Sequence, residues 1–353
     1  DVFPDLSVPF SSMSAPFGKI GDYPGTVEWT DDIPSERVKW PFTWFEFDYG
    51  LEQPQFQVYR VLHDARDAYD EGDMNGLIAE FWRTKMLAPM FAAYKNALWD
   101  YAPTGEKISV DLPSTDKERK SKIEDIYLDW AVHEFGPGAP AKQIASDLAR
   151  FDKSKAKKFH DVVNFAEGAD SIYSQGYITG GDWFDEHEWG PWSEEKSYFS
   201  WFNQWDNLRS QIEGAGNKAR FDYWYHVFKS YKLKCRFACE LNAYEADTEN
   251  NNLEEAAGHR LKMARLWEHI MTAHVQRVHD EVDLGEILNL HWRTWKNWVE
   301  GKYDAKFLEA GGTLPDDKDP SHQYQGDKFI TCIPALNQAK PGEIIDVKAL
   351  IMG

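Results

Sequence analysis

Two acidic side chains lie within an aromatic stretch near the beginning of the chain. Residues 41–49 read Pro-Phe-Thr-Trp-Phe-Glu-Phe-Asp-Tyr and precede Gly50, a pattern that predicts a short buried strand. On a strand, Glu46 and Asp48 point to the same face because side chains alternate with a period of two. Hydrolysis of a glycosidic bond uses a pair of carboxylates. Glu46 and Asp48 are therefore candidate catalytic residues, with Trp44 as a candidate substrate-binding residue; alternatively, the two carboxylates cap the strand end or pair with a nearby cation.

A second group of polar and aromatic residues follows another predicted strand. Residues 76–82 end in Glu80-Phe81-Trp82 and continue into Arg83 and Thr84. An indole offers a flat surface for a sugar ring, and a guanidinium offers a fork of donors for hydroxyl or uronate groups. Glu80, Trp82 and Arg83 are therefore candidate substrate-binding residues. The alternative is that Arg83 forms a buried ion pair with Asp48 or Glu80.

The two predicted strands need a connection that places them side by side. Residues 55–71 show a helical pattern, so the order is strand, helix, strand, which predicts a parallel pair. Residues 1–40 contain five prolines with several glycines and serines, and they are predicted to form an irregular loop.

A long helical region follows from about residue 86. Two apolar stripes at helical spacing each predict an amphipathic helix. They are formed by Ile123, Ile126, Tyr127, Trp130 and Ala131, and by Phe221, Trp224, Phe228, Tyr231, Cys235 and Ala238. Further helices are predicted over residues 139–151, 154–173, 198–212, 261–282 and 287–299. Residues 135–138, Phe-Gly-Pro-Gly, predict a helix end. The fold class is thus predicted to be mainly α, with a helical bundle between two small β-containing parts.

The end of the chain changes character again. Residues 328–333 and 343–351 are predicted to be strands on either side of a Pro341-Gly342 turn. Two strands alone are not stable, so these need partners elsewhere. We therefore predict a partial β/α segment over residues 1–85, a helical domain over 86–312 and a β element over 313–353.

Composition excludes several classes of partner. The net charge of -20 opposes binding to nucleic acid or an anionic membrane. No stretch of the sequence is apolar enough to predict a membrane span. The 16 tryptophans supply aromatic surface that is suited to sugars as well as to a protein core.

Metal and cysteine chemistry are weakly indicated. Cys235 and Cys239 lie four residues apart in a helical pattern, which disfavours a disulfide between them, and all three cysteines are predicted to be reduced packing residues. His269, His274 and His279 recur every five residues and do not share a helix face. An acidic loop over residues 182–188 is interpreted as solvated, with calcium binding as the alternative. We expect no cofactor.

The strand regions carry a resemblance to a known class of enzyme. Residues 42–48 and 76–84, Trp99, and residues 127–136 resemble the last strands of a glycoside hydrolase β/α barrel that run into a helical domain. This resemblance implies that catalytic groups lie at the carboxyl ends of the strands, with Glu46 as nucleophile and Trp82 and Arg83 as substrate contacts. The final strand pair is similar to the opening of the β-sandwich that follows such domains.

The resemblance covers less than half of the chain, and a closed barrel needs eight strands. It therefore implies that the other strands, including the one that carries the general acid, lie in the remainder of a longer polypeptide or on a second chain. The leading hypothesis is a secreted or periplasmic enzyme that hydrolyses glycosidic bonds in a carbohydrate substrate. The alternatives are a non-catalytic helical subunit or scaffold that binds glycans or proteins, and a helical oxidoreductase subunit.

Overall fold

The fold is mainly α, as predicted. The computed structural model describes residues 10–12, 34, 38–44, 58, 61, 76–81, 85–101, 116–151, 190–279, 281–316, 329–334 and 347–352. The α-helices are α1 (Ala88–Tyr101), α2 (Asp116–Phe135), α3 (Ala139–Phe151), α4 (Trp192–Glu195), α5 (Trp205–Leu208), α6 (Ala215–Glu249), α7 (Leu253–Gln276), α8 (Glu281–Leu290) and α9 (Asp304–Glu309). Within these residues, no helix is both long enough and apolar enough to cross a membrane.

Three short strands form a parallel sheet near the beginning of the chain. They are β1 (Phe10–Ser12), β2 (Lys39–Trp44) and β3 (Ile78–Glu80), in the order β1-β2-β3. The parallel pairing of β2 with β3 confirms the prediction from sequence. The prediction of loop throughout residues 1–40 is wrong for β1 and for the first residues of β2, because pairing along the sheet overrides the turn-forming composition around them.

Part of the connection between β2 and β3 is also described. Val58 and Val61 are helical and fully buried, as expected of two positions on the inner face of the helix predicted over residues 55–71. The rest of that helix lies outside the described residues, as does the helix predicted over residues 154–173. Strand, helix and parallel strand therefore follow one another in the predicted order.

Contacts divide the chain into two compact units. Unit 1 comprises Asp1–Gly176, Gly181–His187 and Tyr198–Phe221, and unit 2 comprises Tyr177–Gly180, Glu188–Ser197 and Asp222–Gly353. The boundaries predicted from sequence at residues 85 and 312 stay predictions.

The helices of unit 1 enclose an aromatic core. The predicted stripe on α2 is buried, and α2 ends at Phe135. Gly136 follows with a φ of 84°, a conformation that glycine adopts without steric cost, so the predicted stop is confirmed. Phe135 contacts both Trp130 and Phe221 edge to face, with ring centroids 5.4 and 6.2 Å apart.

The helix predicted over residues 198–212 is wrong as a continuous helix. The segment instead alternates short 3₁₀ turns (Lys196–Phe199, Phe202–Gln204 and Arg209–Gln211) with the single turn α5. Phe199, Phe202, Trp205 and Leu208 are all buried and recur every three residues. Trp201 and Ile212 are buried as well, so the segment keeps an apolar inner face although its hydrogen bonding changes between 3₁₀ and α-helical turns.

Unit 2 is built on three long helical segments. The stripe from Phe221 to Ala238 is buried on α6, as predicted. The helix predicted over residues 261–282 is α7, which begins earlier and ends at Gln276, and the helix predicted over 287–299 is α8 followed by a π-helix (His291–Tyr303). Trp267 stacks on Trp295 with centroids 5.7 Å apart, and Phe237 packs against both rings.

An ion pair lies inside unit 2. The Arg260 guanidinium donates from Nε and Nη2 to the carboxylate of Asp304, at 2.8 and 2.9 Å, and both side chains are about 5% exposed or less. The Tyr244 hydroxyl also donates to Asp304, at 3.0 Å. Burial and the neighbouring Asp304 raise the pKa of Tyr244. The Arg260 guanidinium carbon lies 4.5 Å from the centroid of the Trp295 ring, so packing surrounds the pair.

The final strands form a second sheet. β4 (Phe329–Pro334) pairs with β5 (Val347–Met352) in antiparallel register, which confirms the two strands predicted there. Their possible place at the start of a β-sandwich stays a prediction. Cys235 and Cys239 are free and buried, which confirms their assignment as reduced packing residues.

Candidate functional site

The structure describes two of the six candidate site residues, and only their backbone. Trp44 is the last residue of β2 and Glu80 is the last residue of β3, and the two are register partners across the parallel pair. Glu46, Asp48, Trp82 and Arg83 lie outside the described residues. The structure thus brings together one aromatic and one acidic candidate at the carboxyl ends of neighbouring strands.

Close packing occurs at the opposite, amino-terminal end of this strand pair. The Trp40 indole lies so near Gly76 that an added Cβ would stand 2.9 Å from its Nε1, so a larger residue at position 76 would displace the ring. The Tyr94 hydroxyl on α1 donates a hydrogen bond to the carbonyl oxygen of Leu77, just before β3. Burial raises the pKa of Tyr94, so the hydroxyl keeps its proton.

An aromatic side chain follows the carboxyl end of β3. Phe81 is 38% exposed, and its ring contacts Phe91 edge to face with centroids 4.6 Å apart. Because Phe91 packs against the exposed Phe81 ring, this ring offers an ordered apolar surface next to Glu80 in the sequence. Phe81 was not predicted from the sequence, in which the Trp82 indole was the candidate stacking surface.

A second candidate site is a groove in unit 2 that sequence analysis did not predict. Its volume is about 660 Å³, and its walls come from α6, α7 and residues 190–192. The groove is lined by Gly190, Pro191, Trp192, Cys239, Glu240, Asn242, Ala243, Glu245, Ala246, Glu249 and His259. This volume is within the range typical of small-molecule sites.

A histidine on the groove wall contacts two carboxylates. The Nδ1 of His259 lies 2.6 Å from Glu240 Oε2, and its Nε2 lies 3.5 Å from Asp247 Oδ2. Glu240 and Asp247 are two helical turns apart and so share a face of α6. The carboxylates fix the orientation of the imidazole, and an oriented imidazole next to a carboxylate is able to accept and donate protons.

The sequence contains a signal for this arrangement that is not local. Within α7, Glu255 lies one helical turn before His259 and shares its helix face, so it is the acidic neighbour that local spacing indicates. The partners that His259 contacts come instead from the preceding helix, across the turn at residues 250–252. An acidic pair seven residues apart, facing a histidine just beyond a helical hairpin, is the pattern that predicts such a contact.

Lysines balance the carboxylates of the groove. Lys306 donates to Glu245 at 2.8 Å and lies 3.9 Å from Glu249, and Lys262 lies 3.5 Å from Glu240. The hydrogen bond to Glu245 is the main cause of a raised pKa of Lys306. Across the described parts of the chain, no group of three metal-binding side chains is placed to hold an ion. The groove therefore offers hydrogen-bond acceptors beside an indole rather than a bare negative charge.

The cysteine in the groove is not an activated nucleophile. Burial, with Glu195 and Glu240 adding to it, raises the pKa of Cys239 to about 12. Because the thiolate is the nucleophilic form, a thiol with this pKa is inert near neutral pH. Chemistry at the groove would have to use His259 and the carboxylates.

The acidic loop over residues 182–188 lies outside the described residues, so its predicted solvation stays a prediction.

A comparison of the chain with protein families, with curated proteins and with solved structures found no match.

Proposed function

We propose that the chain is part of a glycoside hydrolase that cleaves glycosidic bonds in a polysaccharide or oligosaccharide. The observation that carries this proposal is the parallel pairing of β2 with β3, in which Trp44 and Glu80 are register partners at the carboxyl ends of their strands. In β/α enzymes, active sites form at that edge of the sheet, and the catalytic residues come from the ends of different strands. An aromatic and an acidic residue at that edge are the types that bind sugars.

Glu46 and Asp48 follow β2 directly in the sequence, beyond its carboxyl end. In this proposal Glu46 acts as the nucleophile or base, and Asp48, Glu80 and Arg83 orient the substrate, while Trp44 and Trp82 stack on sugar rings. The described sheet has three strands, so the proposal assigns the remaining strands of the barrel, and the general acid, to the rest of a longer polypeptide or to a second chain. A secreted or periplasmic location accords with a polysaccharide substrate.

Release of reducing sugar from cellulose, xylan, starch and chitin by the full-length gene product tests this proposal. We expect hydrolysis of at least one of these polysaccharides. The rate should fall by about 100-fold or more in Glu46→Gln, because a neutral amide can act neither as a nucleophile nor as a general base. Glu309→Gln, an exposed change on α9 in unit 2, is the matched control and should leave hydrolysis intact. Full activity in Glu46→Gln would remove that residue from the mechanism.

The groove of unit 2 favours a second candidate function, a non-catalytic helical subunit that binds glycans or proteins. Trp192 is half-buried on the groove wall, beside Asn242 and the acceptor oxygens of Glu240 and Glu245. A flat indole flanked by acceptors is suited to the hydroxyls and the apolar face of a sugar. Two results would favour this function over hydrolysis. The chain would bind a glycan or a protein without releasing reducing sugar, and this binding would be lost in Trp192→Ala but not in Glu46→Gln.

A further inference from the structure

A groove in unit 1 is lined by seven residues, of which five carry carboxamide side chains. Its volume is about 480 Å³. One wall carries Gln143 on α3, and the other carries Asn203, Gln204, Asn207 and Gln211, with Leu208 contributing apolar surface. Among the residues that the structure describes, none that lines this groove is charged.

The local fold explains why these amides lie together. Phe199, Phe202, Trp205 and Leu208 repeat every three residues and are buried in unit 1. Asn203, Gln204, Asn207 and Gln211 occupy the intervening positions and are exposed. The short helical turns thus bury the apolar residues, and among the exposed positions it is these four amides that line the groove, whereas Asp206 and Arg209 lie outside its lining.

A buried carboxylate beneath the groove holds one of these amides in place. Asp147 is 2% exposed, and its Oδ2 accepts a hydrogen bond from Trp205 Nε1 at 2.9 Å. Its Oδ1 accepts a hydrogen bond from Gln143 Nε2 at 3.1 Å. Because the amide nitrogen is the donor to Asp147, the Gln143 carbonyl oxygen is the end left for a ligand. Asp147 therefore acts as a positioning residue that fixes the groove wall before any ligand binds.

The chemistry of the lining selects a ligand class. Each carboxamide both donates and accepts, as does each hydroxyl group, so adjacent hydroxyls satisfy an amide without leaving a buried charge. A phosphate or carboxylate ligand would need a cation in the lining, and a cationic ligand would need a carboxylate. Leu208 and the Ala139 methyl group offer small apolar surfaces of the kind that match the C–H face of a sugar ring.

We infer that this carboxamide groove is a binding site for a neutral oligosaccharide, distinct from the sheet edge at which Trp44 and Glu80 pair. The inference shares its ligand class with the proposed function and rests on it in that respect. It concerns binding alone, so it is measured without hydrolysis.

The test uses the full chain and a panel of neutral oligosaccharides, namely cellohexaose, xylohexaose, maltohexaose and chitohexaose, with oligogalacturonate as the charged counterpart. Binding is followed by calorimetry and by the side-chain NH₂ signals of Asn and Gln in ¹⁵N spectra. We expect one neutral oligosaccharide to bind and to shift the Gln143 signal. Gln143→Ala and Asn207→Ala should each weaken binding by about 2- to 10-fold, the usual effect of losing one hydrogen bond.

Asn250→Ala is the matched control, because it removes an exposed amide in unit 2. It should leave binding unchanged, and unfolding temperatures of all variants establish that they fold. The inference would be overturned if none of the neutral oligosaccharides bound, or if the Gln143→Ala and parent chains bound equally well. A preference for oligogalacturonate or for a peptide would overturn it too. Weaker binding in Gln143→Ala with undiminished hydrolysis would support the inference and leave the proposed function intact. Loss of hydrolysis in Glu46→Gln with unchanged oligosaccharide binding would show that the two sites are separate.

Discussion

Arg260 and Asp304 form a two-pronged ion pair in the interior of unit 2, with the Tyr244 hydroxyl as a third partner of the same carboxylate. The pair connects α7 to α9 across 44 residues of sequence. A buried charge depends on its partner, because neither side chain has access to bulk water as an alternative.

Removal of the Asp304 charge should destabilise the fold. We expect Asp304→Asn to lower the free energy of unfolding by about 3–5 kcal/mol, since it leaves the Arg260 guanidinium buried without its carboxylate. Denaturant titration followed by tryptophan fluorescence measures the change. Lys296→Ala, which breaks an exposed pair with Glu300, should cost only about 0.3–0.5 kcal/mol and serves as the control. Equal losses in the two variants would contradict a stabilising role for burial.

Stability should fall as the pH drops below about 6.5, and His274 should be one cause. Burial, with Lys234 and Arg277 adding to it, holds the pKa of His274 well below its usual value, so the folded chain keeps this side chain neutral. The unfolded chain binds a proton there below pH 6.5, and stability is therefore lost as the pH falls, by up to about 1.4 kcal/mol per pH unit for one histidine.

The window from pH 6.5 to 5.5 lies above the titration of ordinary carboxylates and isolates the histidines. His274→Gln keeps an acceptor for the hydrogen bond from Arg277, which the His274 Nδ1 receives at 2.8 Å, but removes the titration. We expect a shallower pH dependence of the free energy of unfolding in this variant. Burial is the main reason why the pKa of His226 is lowered to about 4. NMR titration of this side chain should therefore show a midpoint near pH 4. An unchanged slope in His274→Gln would contradict the assignment.

The thiol of Cys239 should resist alkylation in the folded chain. Burial raises its pKa to about 12, so the thiol is almost entirely protonated at pH 8. Mass-spectrometric mapping of iodoacetamide adducts at pH 8, before and after unfolding in urea, measures the difference at each cysteine separately. Rapid labelling of Cys239 in the folded chain would contradict its burial.

Enlarging Gly76 should disturb the amino-terminal end of the β2–β3 pair through Trp40. In Gly76→Ala the new methyl group would meet the indole, which is 37% exposed and can shift outward, so we expect a loss of about 1 kcal/mol, the low end of the usual cost of overpacking. The same change in a Trp40→Leu background should cost less, because the ring is no longer there to clash. A double-mutant cycle from thermal unfolding measures this coupling, and additivity of the two changes would contradict the contact.

The sequence predicts elements well where one face of a helix supplies the burial. The stripe on α2, the stop at Gly136 and the stripe on α6 are local patterns, and each is confirmed. Residues 198–212 were predicted less well, since Trp201, Trp205, Leu208 and Ile212 are buried at a spacing that an α-helix would also give, and this pattern does not reveal the 3₁₀ turns. Strand β1 has three residues and is set by its pairing with β2, which composition does not reveal.

Only part of the candidate sites was accessible to sequence reasoning. Trp44 and Glu80 were selected because each ends a strand, and the parallel pairing places them side by side. The His259 contact with Glu240 joins two helices across a turn, and the carboxamide groove joins α3 to a segment about 60 residues later. The first contact can be predicted only once the helical hairpin is recognised, and the second depends on how distant helices pack, which residue spacing alone does not encode.

The segment from Phe199 to Leu208 passes between 3₁₀ turns and the α-helical turn α5, which limits how it can change in length. Each residue advances the chain by about 120° in a 3₁₀ helix and by about 100° in an α-helix, so deletion of one residue would rotate the following ones by roughly a third of a turn. Trp205 would then point away from Asp147, its buried hydrogen-bond acceptor. The segment should therefore tolerate substitutions at its exposed positions much better than an insertion or a deletion.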